Sequence, residues 1–392
     1  MHRVANRFLF SVGEPSGDIH GANLIRALRK QLPDATFTGL GGPLMQAAGC
    51  DLIFPLADHP IMGVSGALRA IPFLMGILRK LEDEIRRTSP SAVILIDYPG
   101  FNWHVAKLAK RLGVPVVYYV PPQIWAWATH RVRKMRKFVD HVLCSLPFED
   151  TWFKSRGVKE ATYVGHPYFD DLKSRTLDSG FSNDAKGTGD VKRVVLLPGS
   201  RRAEAKLNTR QLLRTAAKIR EAVPNVQIDV AAFNQKIEHL VHQVSVEEKI
   251  PVDVHVGRTR ELIHLADAAV SVSGSVSLEL LYFDTPTVIV YHVNWFWQKI
   301  FIPIMIHTPY FTLVNLLAGR RIFPEFVGPN DNSSRIAGII SLWLLDDEKR
   351  KQTTDLMKKL KRLYASPGAT ETAARYIVER VIDAPAQIKK AA

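Results

Sequence analysis

Short apolar runs rich in Val, Ile and Leu alternate along this chain with stretches whose apolar residues fall at helical spacing. In the first half the runs predict strands over Arg7–Val12, Thr36–Gly41, Ser91–Ile96, Val114–Val120 and His141–Ser145. In the second half they predict strands over Val194–Leu197, Val226–Ala232, Val252–Val256, Ala268–Val272 and Thr287–Tyr291. Helices over Leu207–Val223, Ile237–Val246 and Glu261–Ala266 separate these later strands. Runs without polar alternation belong to strands covered on both faces, as in parallel sheets. Strand and helix taking turns at this spacing predict an α/β protein with one Rossmann-like sheet in each half. The polar stretch 173–191 reads as a linker. The expected division is a first domain over 1–172, a second over 192–365, and a helix and tail over 366–392 returning to the first. Ser333–Leu345, Glu348–Tyr364 and Gly368–Ile382 are the closing helices. Two such domains facing a cleft are the expected architecture.

Two segments are more apolar than this scheme needs. Ile61–Leu81 carries Met62, Val64, Leu68, Ile71, Phe73, Leu74, Met75, Ile77 and Leu78, with Arg79, Lys80, Arg86 and Arg87 following. Its glycines weaken it as a core helix, so a buried helix and one lying in a membrane interface fit it equally. Trp295–Ile306 is aromatic as well as apolar, and membrane contact, a homodimer contact and core packing fit it about equally. No stretch is long and uncharged enough to span a bilayer, and the apolar run near Met1 is too short for a signal peptide.

Candidate chemistry gathers where strands end, which in an open α/β sheet is where ligands bind. Leu197-Pro198-Gly199-Ser200-Arg201-Arg202 leads from strand to helix, a turn that aims free N–H groups at an anion, with Arg201 adding a bidentate cation. Ser273-Gly274-Ser275-Val276-Ser277-Leu278-Glu279 forms a second such turn, and Glu279 suits both hydroxyls of a ribose. Two phosphate-friendly turns in one Rossmann-like domain suggest a nucleotide-sugar site, and hence a glycosyltransferase of the two-Rossmann, GT-B kind. In the first half, Gly13-Glu14-Pro15-Ser16-Gly17-Asp18 is glycine-rich but lacks the dinucleotide fingerprint. Asp97 stands at the end of an apolar strand, the place for a general base and equally for a helix cap. Gln123, Trp125 and Trp127 follow two prolines as a wall that suits a sugar or lipid. His166 is either a ligand contact or a structural turn histidine.

Composition narrows the partners. Lys plus Arg exceed Asp plus Glu by 52 to 38, a formal net charge of +14, which favours an anionic partner. Recognisable nucleic-acid-binding signatures are absent from the sequence, so phosphorylated substrates and an anionic membrane surface rank above nucleic acid. Cys50 and Cys144 lie far apart without metal-ligand spacing, which suits a reducing cytoplasm. His239 and His242 have metal-like spacing but no third ligand, and read as a solvated face. No Asp-x-Asp occurs, so helix N-termini and Arg201 are expected to stabilise a departing diphosphate, with neither metal nor cofactor.

In order and spacing these motifs, with Ile96-Asp97-Tyr98-Pro99-Gly100-Phe101-Asn102, Pro122-Gln123-Ile124-Trp125-Ala126-Trp127, Gly165-His166-Pro167 and Asn315-Leu316-Leu317-Ala318-Gly319-Arg320, resemble those of the bacterial lipid-A-disaccharide synthases. The resemblance covers nearly the whole chain. It implies an inverting GT-B transferase, cytoplasmic and peripheral to the inner membrane of Gram-negative-type bacteria. Such an enzyme joins UDP-2,3-diacylglucosamine to 2,3-diacylglucosamine 1-phosphate, making a β-1′,6 disaccharide phosphate and UDP. The family's essential Asp falls on Asp97, its diphosphate-facing Arg on Arg201, its ribose-binding Glu on Glu279, and a functional Asn on Asn315. Pro15, His20 and Pro122-Gln123 depart from the family pattern. Rival readings are an epimerase or peptidoglycan-type transferase of the same fold, and a non-catalytic lipid-binding protein.

Overall fold

The computed structural model describes residues 6–58, 71–174, 191–272, 274–293, 295 and 308–383. The first part of the 61–81 apolar stretch, nearly all of the expected linker, Ser273, residues 296–306 and the C-terminal tail lie outside the described residues. The chain forms two compact units, Met1–Asp171 with Ser366–Ala392, and Leu172–Ala365.

Unit 1 is built on a seven-stranded sheet. Its strands are β1 (Arg7–Val12), β2 (Thr36–Leu40), β3 (Cys50–Phe54), β4 (Ala92–Ile96), β5 (Val116–Tyr119), β6 (His141–Cys144) and β7 (Ala161–Tyr163). They lie in the order β3-β2-β1-β4-β5-β6-β7, every neighbouring pair parallel. Alternate residues of the apolar runs enter opposite cores. Leu9, Val93, Leu95, Val116 and Tyr118 pack with the helices Ile71–Thr88 and Pro99–Arg111. Phe8, Phe10, Val12, Ile94, Ile96 and Tyr119 pack with the helix Pro15–Gln31 and the returning helix Ala369–Tyr376. Both faces being covered explains why these strands lack polar alternation. The returning helix is fastened by Asp170, which accepts from the backbone N–H groups of Gly368 and Thr370 and from the Thr370 hydroxyl.

Unit 2 has a six-stranded parallel sheet. Its strands are β8 (Lys192–Leu197), β9 (Val226–Ala232), β10 (Asp253–Val256), β11 (Ala268–Val272), β12 (Thr287–His292) and β13 (Glu325–Gly328). The order is β10-β9-β8-β11-β12-β13, so the chain starts mid-sheet, steps outward, then crosses back to the other side. That reversal lies between β8 and β11, as it lies between β1 and β4 in unit 1. In open α/β sheets ligands bind beyond the strand ends at such a reversal, where the two following segments leave toward opposite faces.

Candidate active site

In unit 1 the reversal brings Val12 beside Ile96, so the turns carrying Gly13 and Asp97 emerge side by side. Gly13 is required by close approach: a Cβ there would lie 2.6 Å from Cγ and Cε1 of the Tyr98 ring. Asp97 and Tyr98 both take left-handed backbone, at φ 45° and 46°. Each such residue costs about 1–2 kcal/mol, and such strain persists only where its surroundings impose it. Here a buried network imposes it. The Tyr118 hydroxyl and the Asn102 amide each donate to the Asp97 carbonyl at 2.7 Å, and the Ser11 hydroxyl donates to Asn102 Oδ1 at 2.7 Å. The following helix is capped by Tyr98 without a side-chain bond, so the cap position does not fall on Asp97.

Burial, then the Asp97 charge and to a lesser degree that of Glu14, holds the Tyr118 phenol well above its usual range. The phenol therefore stays protonated and donating, and two half-buried carboxylates lie within electrostatic reach of it. Glu14 is the N-cap residue of Pro15–Gln31, Ser16 is exposed beside it, and Gly17 is buried where a Cβ would press on Val12. Asp18 instead accepts from the N–H groups of Gly42, Leu44 and Met45, which fixes the start of the helix Pro43–Ala47.

The expected wall after β5 divides. Gln123 and Trp127 are exposed, with the Arg131 guanidinium 4.6 Å from the Trp127 ring centre. Trp125 is buried and donates its indole N–H to Glu149 Oε1 at 2.8 Å, so it packs inside unit 1. His166 is half-buried. Burial, then the neighbouring His20, lowers it to about 3, and burial lowers His20 to about 4 against the opposing Asp170 charge. Both imidazoles are neutral, and His166 Nδ1 accepts from the Tyr168 N–H at 3.3 Å.

In unit 2, β8 runs into Pro198 and Gly199, the latter at φ 102°, and the helix Arg202–Ala222 starts directly behind Ser200 and Arg201. Arg201 is the N-cap residue, without a side-chain capping bond, at the end of the helix where N–H groups lack partners. Its guanidinium is 65% exposed and meets Glu204 at 3.3 Å. Such exposed pairs contribute at most ~1 kcal/mol and yield readily to a stronger anion. Across the reversal, Gly274 and Ser275 are exposed at the start of the helix Val276–Tyr282. Ser277 is buried and donates to the Gly274 carbonyl at 2.8 Å, shaping the turn from inside. Glu279 is buried in the same helix.

Asn315 has a different position from the turn residues. It is fully buried and donates to the Phe323 carbonyl and to Glu325 Oε1, each at 2.8 Å. Its Oδ1 accepts from the N–H groups of Ile322 and Phe323 at 2.8 and 2.9 Å. Both amide hydrogens and both lone pairs are therefore engaged within the unit. Asn315 ties the segment before β13 to the helix Leu313–Ala318. Among the described residues, no group of three or more His, Cys, Asp or Glu is placed to hold a metal.

A family model described as lipid-A-disaccharide synthetase matches residues 8–378. A lipid-A-disaccharide synthase from Myxococcus xanthus is 34% identical over 376 residues, covering 95% of this chain and 97% of that protein. The chain belongs to the lipid-A-disaccharide synthetase family. Solved structures place this synthetase-family chain among GT-B proteins. A UDP-GlcNAc 2-epimerase from Neisseria meningitidis, bound to UDP-GlcNAc, aligns with a TM-score of 0.63 at 12% identity, covering 97% of this chain and all of that one. The calicheamicin glycosyltransferase CalG4 aligns with a TM-score of 0.59 at 14% identity, with the same coverage. At such identities the likeness is one of fold, and the fold is GT-B.

Proposed function

We propose that this chain joins UDP-2,3-diacylglucosamine to 2,3-diacylglucosamine 1-phosphate, releasing UDP and a β-1′,6-linked disaccharide phosphate. The observation that carries the mechanism is Asp97 at the strand reversal of unit 1, its strained backbone held by Tyr118 and Asn102. The acceptor 6-hydroxyl oxygen attacks the donor's anomeric carbon and inverts it. The bond from that carbon to the diphosphate oxygen breaks, and its electron pair leaves with UDP. The hydroxyl proton passes to the Asp97 carboxylate. Unit 2 supplies the donor seat: Ser200, Arg201, Gly274 and Ser275 meet the diphosphate, and Glu279 the ribose. Ser277 and Asn315 act through the turn and segment they hold. Unit 1 supplies the acceptor side through the turns of Glu14 and Gln123.

The amphiphilic substrates place the enzyme against the cytoplasmic face of the inner membrane. No described helix is long and apolar enough to cross a membrane. The helix Ile71–Thr88 begins with exposed Ile71, Phe73 and Met75 and continues through exposed Arg79 and Lys80. Apolar side chains next to cations suit an anionic lipid surface, and the net charge of +14 acts in the same direction.

The test is UDP release in detergent with EDTA, with and without the acceptor. Release that needs the acceptor and survives EDTA is expected. UDP release without acceptor, or conversion of the donor to an epimer, would overturn the reading.

A further inference from the structure

The loop after β5 leaves the sheet one strand away from Asp97, since Tyr119 pairs with Ile96, and one strand away from the loop after β6, since Tyr119 also pairs with Leu143. Its first residue, Val120, is at φ 53°, a conformation a β-branched residue adopts only under constraint, and Pro121 and Pro122 follow. A side chain from the β6 loop holds this one in place. Glu149 is fully buried and accepts the Trp125 indole N–H at 2.8 Å with one oxygen, while the other accepts the N–H groups of Ser145 and Leu146 at 3.0 and 2.9 Å. Phe148 meets the Trp125 ring edge-on with ring centres 4.9 Å apart, which fixes the indole plane as well as its end. Beyond this anchor stand exposed Gln123 on one side and exposed Trp127 with Arg131 on the other.

We propose that Glu149 is a positioning residue for the acceptor, holding through Trp125 the loop that presents Gln123, Trp127 and Arg131 beside Asp97. A flat aromatic face next to a guanidinium suits a sugar carrying a phosphate, so the inference rests on the transferase reading above. A carboxylate is more than packing requires at this position. Three N–H donors converge on it, which favours its ionised form, while complete burial opposes ionisation. The balance raises Glu149 to about 7, burial being the larger influence. The titratable groups around it are Cys144 on β6, whose thiol is raised by burial and then by Glu149 and Asp150, and Asp150 with Lys154 on its own helix, 3.5 Å apart. As pH falls through about 7, Glu149 takes up a proton and the indole N–H is left donating to a neutral carboxyl, a weaker anchor for the loop.

The experiment has two arms. In the wild-type enzyme, isotope-labelled tryptophan is followed by NMR from roughly pH 5.5 to 8.5. The indole N–H resonance showing contacts to the Phe148 ring is expected to titrate with a midpoint near 7. An indole resonance constant across that range would overturn the proposal, and this arm stands whether or not variants fold. In the second arm Glu149→Gln is expected to raise the acceptor KM about tenfold, as loss of a charged hydrogen bond does, with kcat within about twofold and the donor KM unchanged. A folded variant in which the acceptor KM stays put, or both KM values move together, would also overturn it. Wild-type enzyme that releases no UDP in the presence of acceptor would sink the transferase reading instead, while the indole titration still reports on the anchor.

Discussion

The Tyr118 hydroxyl donates to the backbone carbonyl of Asp97 at 2.7 Å, from the strand next to the one that Asp97 ends. This bond acts on the main chain, and so holds the left-handed turn without consuming the carboxylate. Tyr118→Phe should lower kcat by about 3–10-fold, the loss expected for one hydrogen bond of about 1 kcal/mol, with the donor KM unchanged. Steady-state kinetics on folded protein check this, and an unchanged kcat would show that Asn102 alone suffices.

Asp97→Asn should lower turnover by roughly 10²–10⁴-fold, the contribution of a positioned general base. UDP affinity measured by calorimetry should stay near the wild-type value. Full activity in this variant would place the base elsewhere.

Arg201→Ala should raise the donor KM by about 10–100-fold, since a charged hydrogen bond contributes about 1.5–3 kcal/mol. Thermal stability should barely change, because the Glu204 pair it breaks is exposed. A large fall in melting temperature would mean instead that the pair holds the start of the helix together.

His20 and His166 together make the fold acid-sensitive. Both are lowered, to about 4 and about 3, from an ordinary value of 6.5. Depressed values mean the unfolded chain binds more protons, so the stability they carry is complete above pH 6.5 and is lost as pH falls toward 4. The buried Nδ1 of His20 has no hydrogen-bond partner among the described residues. His20→Leu should therefore be neutral or stabilising at pH 7, and should flatten the acid side of a melting-temperature profile between pH 6.5 and 4. An acid limb unchanged by the substitution would assign the sensitivity to other groups.

The central strands were legible in the sequence because both faces are buried, as the runs Phe8–Val12, Ala92–Ile96 and Val194–Leu197 show. The edge strands β3, β7 and β13 escaped that reading. Among the described residues each has one neighbour in its sheet; β3 carries exposed Asp51, β7 is the three residues Ala161–Tyr163, and β13 begins on Glu325, so none presents a long apolar run. The placement of Asp97 and Arg201 at strand ends was legible, because backbone geometry there follows local sequence. Roles made by distant partners were not. Nothing near Trp125 announces that Glu149 receives its N–H, and nothing near Asn315 announces that its amide is enclosed. Tyr118 and Asn102 were missed for the same reason, their partner being a carbonyl that only the folded turn directs toward them. A polar residue on an otherwise apolar helix face, as Asn102 is between Phe101 and Val105, was the available signal.

The Tyr98 ring fills the space that any side chain at position 13 would need. Residues 85 positions apart in the sequence are thereby bound to a common fate: a lineage that gains even a methyl group at Gly13 must displace or give up the aromatic ring at Tyr98. Across relatives, variation at these two sites should therefore be paired, a side chain at position 13 going with a smaller or repositioned residue at position 98.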